Sequence, residues 1–525
     1  MKKIFCKVIV FLLLVSISMS SFAGCKVEDN TYKGPLLPDY SASDKSFDFF
    51  AYRAMVDSSY IIDGVRYYPD EEYADNFLTE KAYQTYKNAG FNMMMVAGVN
   101  TYSGEGWVGS ACQTSMKMTY ATGIDKIIIR DERISNILTN VIDEVIGEGK
   151  SFETQEAFEN EIKSYLLEYY QEPGFCGYVL GDEPSAVYYE TYGLVYKTIK
   201  KVAAELGIED IYLHINFLPI TTDVSRFALP GDDGSLTFEE LYTRYIENFL
   251  IATEADRLSV DIYIFRASGI YPGSYANVQI LRELADKYGA DLTFCLQSFE
   301  LWNGKNPNYS KVDKAMMRME LEMMIGMGMD DFAYYTYSPD KTFNTDGNKT
   351  IDSSAFLDNN GEPTEIYQFG SEVMAEAKAF EKVVLNYKFK GSNLYTAPVA
   401  KFNNTPYITS DMPTSNPTTI TYKKGYQFAL IKDFSKDFTC DNDVAFITEL
   451  FDENNDLYMY MVQNCIDPRN GKNGDTTENI TVNFGTEYKY IAEFDAGHLT
   501  YHNLNNGVYS RTLSAGQAVF IVPLK

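Results

Sequence analysis

Two adjacent carboxylates, Asp182 and Glu183, follow the apolar run Gly177-Tyr178-Val179-Leu180-Gly181 and precede Pro184. Carboxyls at the end of a buried strand can donate protons, hold a developing cation or orient a polar substrate, because apolar flanks raise the cost of ionisation. With Phe175 and Cys176 the run is apolar over strand length, as in a strand buried on both faces of a parallel sheet. Pro184 disfavours α conformation at Glu183 and is placed to open the helix expected from Ser185 to Leu206. Acids also cap helices. One would suffice for capping, so the pair points to chemistry.

Positioning such a pair requires a strand, an acidic turn and a helix, and the rest of the chain repeats that unit. Apolar strand-like runs begin at Phe47, Asn92, Lys126, Gly177, Ile211, Leu258, Asp291 and Phe332, with helical periodicity after each. The series predicts a (β/α)8 barrel over residues 46–390, in which side chains at the C-terminal strand ends converge on one pocket. No GxGxxG or P-loop follows any strand, which disfavours a doubly wound nucleotide-binding sheet. From residue 391 helical periodicity gives way to short β-type runs separated by Asn, Asp and Gly turns, an all-β sandwich over 391–525.

The strand-end residues form a consistent set. Arg53 and Asn100 lie at the ends of strands one and two, Asn216 and His214 on strand five, and Asp261 and Tyr263 on strand six. Gln297 and Glu300 belong to strand seven, followed by Trp302, and Tyr335 and Tyr337 to strand eight. Carboxylates, amides and tyrosines without a nucleophilic Ser or Cys motif suit acid-base work on a neutral polyol, as glycoside hydrolysis requires. Asp261, flanked by Val260 and Ile262, would cost several kcal/mol if buried unpaired. His214 suits the core equally well, and packing accounts for one of the two tyrosines as readily as sugar stacking does.

Composition narrows the partners. The chain has 525 residues, a net charge of −28, 42 tyrosines and 3 histidines. Such acidity argues against nucleic acid and against a basic membrane-binding patch. His214, His498 and His502 assemble no histidine metal site, an all-oxygen calcium site is compatible, and no cofactor is implied. Cys112, Cys176, Cys295, Cys440 and Cys465 lack CxxC spacing and read as buried thiols. Residues 1–24, with Lys2, Lys3 and Lys7 before an apolar stretch, read as an export signal. Residues 25–45, rich in turn formers, read as a tether.

The ending Phe22-Ala23-Gly24-Cys25 resembles a bacterial lipobox, which implies lipidation of Cys25 and a membrane-anchored, extracytoplasmic protein. The strings GYVLGDEP, VDIYIF, TFCLQSFE and FAYYTYSP resemble extracellular bacterial glycoside hydrolases of the TIM-barrel superfamily, in particular a group with a DEP motif. The resemblance implies Glu183 as acid/base. Asp182 replaces the usual Asn, and Gln297 stands where the nucleophilic Glu would be. Three arrangements fit: Glu300 as nucleophile, Asp261 as base on water, or Asp182 orienting a substrate 2-acetamido group while Glu183 donates the proton. The rival expectation is a non-catalytic glycan-binding lipoprotein on the same scaffold.

Overall fold

The computed structural model describes residues 32–525 except for 55–59, 63–64, 68–78, 98–106, 339–354, 397–436, 441–443, 470–476 and isolated positions in 221–234, 272, 304–305 and 359. Cys25, Asn100 and the expected export signal lie outside the described residues.

Eight parallel strands form one sheet: β1 (Asp48–Ala51), β2 (Met93–Ala97), β3 (Lys126–Arg130), β4 (Phe175–Asp182), β5 (Tyr212–Phe217), β6 (Arg257–Val260), β7 (Asp291–Gln297) and β8 (Asp331–Tyr335). Their order, β1-β8-β7-β6-β5-β4-β3-β2, is that of a barrel with one open seam between β1 and β2. Asn92 closes it. Its backbone N–H donates to Phe49 O (3.1 Å), its Oδ1 accepts the Phe49 N–H (2.7 Å) and its Nδ2 donates to Phe47 O (2.8 Å). A side-chain amide, with one donor and one acceptor end, thus replaces a peptide group in the ladder.

Helices alternate with the strands and cover the outside, and their starts carry capping residues. Thr237 forms a capping box with Glu240 ahead of the helix Phe238–Thr253, and Asp313 caps Lys314–Gly326. Gly90, at φ +112°, ends the helix Glu80–Ala89 in the left-handed conformation that glycine adopts without strain. The barrel is polar at its N-terminal end, where Lys126 and Arg257 pair with Asp48 and Asp331. Above this lie Phe50, Met95, Ile128, Val179 and Cys295. His214 is fully buried there with Nε2 2.7 Å from Tyr52 Oη, and burial pushes its pKa down to about 3, so it is a neutral core residue.

Strand six ends at Val260 and strand eight at Tyr335, each shorter than the apolar runs predict. Beyond β6 and β7 the chain forms an extra four-stranded sheet from Phe265–Arg266, Gly269–Ile270, Leu301–Asn303 and Asn306–Tyr309. This sheet walls one side of the barrel mouth.

The C-terminal sandwich begins with the strand Lys388–Thr396 and opposes a six-stranded sheet to a three-stranded one. Successive residues serve two cores, as period-two alternation requires. Phe446, Met461 and Phe520 join the barrel core, while Ile447, Val462 and Ile521 pack between the sheets. The expected tether is docked from Tyr32 onward: Tyr40 Oη donates to Asp452 (2.7 Å), and Tyr32 packs against Tyr490 and Tyr501. No described helix is long and apolar enough to cross a membrane.

Candidate active site

The turn after β4 is shaped by two departures from regular strand geometry. A register shift between Val179 and Gly181 against β5 marks a bulge, and bulges re-aim side chains beside functional sites. Glu183 then adopts φ +52°, in the left-handed region that non-glycine residues rarely occupy. Strict alternation would send Asp182 and Glu183 to opposite faces. The bulge and the left-handed residue bring both into the mouth.

Asn216, at the end of β5, fixes this turn. Its carbonyl accepts the Glu183 N–H at 2.7 Å, its Nδ2 donates to Asp182 Oδ1 at 3.1 Å, and its Oδ1 accepts from Ser259 Oγ at 3.2 Å. Arg226 donates to Glu183 O and Tyr245 Oη to Pro184 O. Asp182 is exposed in the mouth, and Glu183 is half-buried.

Asp261, the first residue beyond β6, is buried and within hydrogen-bond reach of the Glu183 carboxyl. Burial, then the neighbouring Glu183 and Asp182 charges, push Asp261 well above the usual carboxylate range. Burial and Asp182 raise Glu183 too, while the Asp261 hydrogen bond pulls it down. Two carboxyls in contact cannot both ionise, so they share a proton. The contact raises Asp261 and lowers Glu183, so of the two Asp261 is the more readily protonated. Asp261 Oδ1 is buried and accepts no hydrogen bond from the described residues.

The pair opens into a cleft of about 680 Å³, lined also by Pro219, Thr222, Tyr263, Arg266, Tyr271 and Tyr309. Tyr263 is at the centre of an aromatic cluster, with ring centroids 4.6 Å from Phe299, 5.7 Å from Tyr309 and 5.9 Å from Tyr335. Arg53 stacks on Tyr335 at 5.6 Å. Flat rings with polar rims in a polar cleft suit the alternating faces and hydroxyls of a sugar. Among the described residues no group of His, Cys, Asp and Glu side chains is placed to hold a metal ion.

The structure therefore gathers Asp182, Glu183, Asn216, Asp261, Tyr263, Tyr335 and Arg53 at the mouth. It corrects two expectations. Gln297 is fully buried: Oε1 accepts the Phe265 N–H (3.0 Å), Nε2 donates to Ser310 O (3.0 Å), and its own N–H donates to Glu320 (2.9 Å). Its amide holds the mouth sheet to β7 and is not available to a substrate. Tyr337 packs outside the barrel against Tyr86, Phe91 and Phe356, because the strand ends at Tyr335 and the period-two relation lapses. Glu300 lies between β7 and the mouth sheet and does not line the cleft. Trp302 sits on Leu301–Asn303, with its side chain outside the described residues. Arg266, Tyr271 and Tyr309 escape the sequence reading, since they stand beyond the strand ends; the cluster Phe265-Arg266…Tyr271-Pro272 was their one signal.

No protein-family model matches the chain, and no curated protein matches it. Among solved structures it is similar to a family 27 β-L-arabinopyranosidase variant from Geobacillus stearothermophilus, with a TM-score of 0.44, 9% identity, and coverage of 93% of this chain and 98% of that one. It is also similar to a family 30 xylanase from Clostridium acetobutylicum (TM-score 0.37, 12% identity, 85% and 93% coverage). A third is an endo-1,4-β-xylanase from Penicillium canescens (TM-score 0.38, 10% identity, 62% and 93% coverage). All three are glycoside hydrolases, and likeness of this degree assigns no residue of the present chain.

Proposed function

We propose that this protein is a glycoside hydrolase whose proton donor is the Glu183–Asp261 pair. The observation that carries this reading is the pair itself: two carboxyls in hydrogen-bond reach, both pushed up by burial, at the C-terminal mouth of a (β/α)8 barrel, in a cleft walled by tyrosines. A carboxylic acid kept protonated by burial can protonate a glycosidic oxygen near neutral pH.

The hydrogen-bonded contact is closer than the about 5–5.5 Å of retaining carboxylate pairs and the about 6.5–9.5 Å of inverting ones. Glu183 and Asp261 therefore act together as the acid, rather than flanking the scissile bond as acid and nucleophile. The adjacent carboxylate is Asp182, held by Asn216 and exposed. It is the group placed to stabilise the oxocarbenium-like centre or to orient a substrate group that supplies the nucleophile.

Sugar release from a glycan panel, N-acetylated glycans included, by purified residues 26–525 beside Glu183→Gln tests the reading. Release that the substitution abolishes supports it. Binding without release in both proteins would replace it with a glycan-binding function. We further propose that the chain is exported and anchored through a lipidated Cys25, for which the lipobox-like ending is the support. Incorporation of a radiolabelled fatty acid, lost in Cys25→Ala, checks this.

A further inference from the structure

Arg266 is the one cation among the described residues lining the cleft. Its backbone is held from three sides: it pairs with Gly269 and with Tyr309 in the mouth sheet, and its carbonyl accepts from Arg469 at 2.7 Å. Its guanidinium stacks between two rings, 4.5 Å from the Tyr309 centroid and 5.2 Å from that of Tyr271. Stacking fixes the plane of the guanidinium and leaves its edge free to bind. The Nε–H is buried with no hydrogen-bond partner, and Arg266 forms no ion pair among the described residues.

An arginine without a carboxylate partner is conspicuous in a chain of net charge −28. Glu183 and Asp261 line the same cleft, yet neither forms an ion pair with Arg266. A planar guanidinium fork, oriented by two rings and lining the cleft, matches the two parallel oxygens of a carboxylate or sulfate. Building on the hydrolase reading, we propose that Arg266 seats an anionic substituent, a uronate carboxylate or a sulfate ester, on the glycan cleaved at the Glu183–Asp261 pair. The substrate class is then an acidic polysaccharide, and the tyrosines beside Arg266 hold the sugar ring that bears the charge.

The test uses Glu183→Gln, which holds substrate without turnover, on an array of neutral, uronate-bearing and sulfated oligosaccharides, with release assays of the unsubstituted protein on the same glycans. The expected result is binding confined to charged glycans, weakened at least about tenfold when Arg266→Gln is added and weakened as salt rises. Arg266→Lys, which keeps the charge and loses the fork, is expected to fall between the two. Uronate-only or sulfate-only binding identifies which anion is seated, and matching circular dichroism of all variants excludes misfolding. Cleavage and binding of neutral glycans, or charged-glycan binding indifferent to Arg266→Gln, would overturn the subsite and leave the hydrolase reading standing. Neither binding nor release on any glycan would overturn both.

Discussion

Glu183, in the turn after β4, and Asp261, just beyond β6, meet within hydrogen-bond reach although β5 lies between their strands. The left-handed backbone at Glu183 and the early end of β6 make the meeting geometrically feasible. Its energetic consequence is that folding confines a proton.

That confinement sets a pH dependence of stability. Both pKa values are raised in the folded state, so the stabilisation is complete below the ordinary carboxylate range and is lost as pH rises through the raised values. Asp261→Asn keeps the hydrogen bond and removes the titration. We expect it to gain about 1 kcal/mol over the parent at pH 8, with no gain at pH 4. Denaturant midpoints across that range check it; equal slopes for both proteins would dismiss the shared proton.

Activity should move the same way. Hydrolysis is expected to fall as pH rises and the pair loses its proton, and Glu183→Gln to lower kcat by roughly 10²–10⁴ with the fold retained. A pH–rate profile of kcat/KM is the measurement.

Arg469, from the sandwich, donates to Arg266 O (2.7 Å) and Ser310 Oγ (2.6 Å) and so positions the cleft wall without facing substrate. Arg469→Ala is expected to raise KM by about tenfold, the equivalent of one or two lost hydrogen bonds, with kcat changed less. An effect on melting temperature alone would mark the contact as purely structural.

Gln297→Glu offers a check on the retaining arrangement suggested by resemblance. Because the side chain is enclosed by Phe265, Phe299 and Ser310 backbone, the new carboxylate would accept where Nε2 now donates. A loss of about 2–4 kcal/mol without any gain in turnover is expected.

Asn92→Ala removes the side-chain bonds to Phe49 N and Phe47 O at the barrel seam. It is expected to cost about 2–4 kcal/mol, because a buried N–H is left unsatisfied. Denaturant unfolding monitored by tyrosine fluorescence would show it, and the cleft should be unaffected.

Much of this was legible in the sequence, because the barrel strands are apolar on both faces and their helices carry the 3.6-residue period. Strand seven, Asp291–Gln297, was readable residue for residue. What escaped depends on tertiary context. Apolar residues continue past Val260 and Tyr335, so composition alone could not end those strands. The bulge at β4 leaves no mark in composition, and Asn92 resembles any loop asparagine until its partner strand is in place. Gln297 sat at the right position in the chain for a catalytic role. Its burial behind a mouth sheet built from later residues gave it a different task.

The short strand Asn306–Tyr309 and the serine after it are gripped from two directions, by Gln297 of the barrel and Arg469 of the sandwich. The sandwich is thus part of the cleft's masonry and not a detachable appendage. Domain shuffling that exchanged residues 388–525 for an unrelated module would leave every acid in place and still unseat Arg266. One wall of the cleft is thus built by both domains, with Arg469 of the sandwich bonded to Arg266 O and Ser310 Oγ.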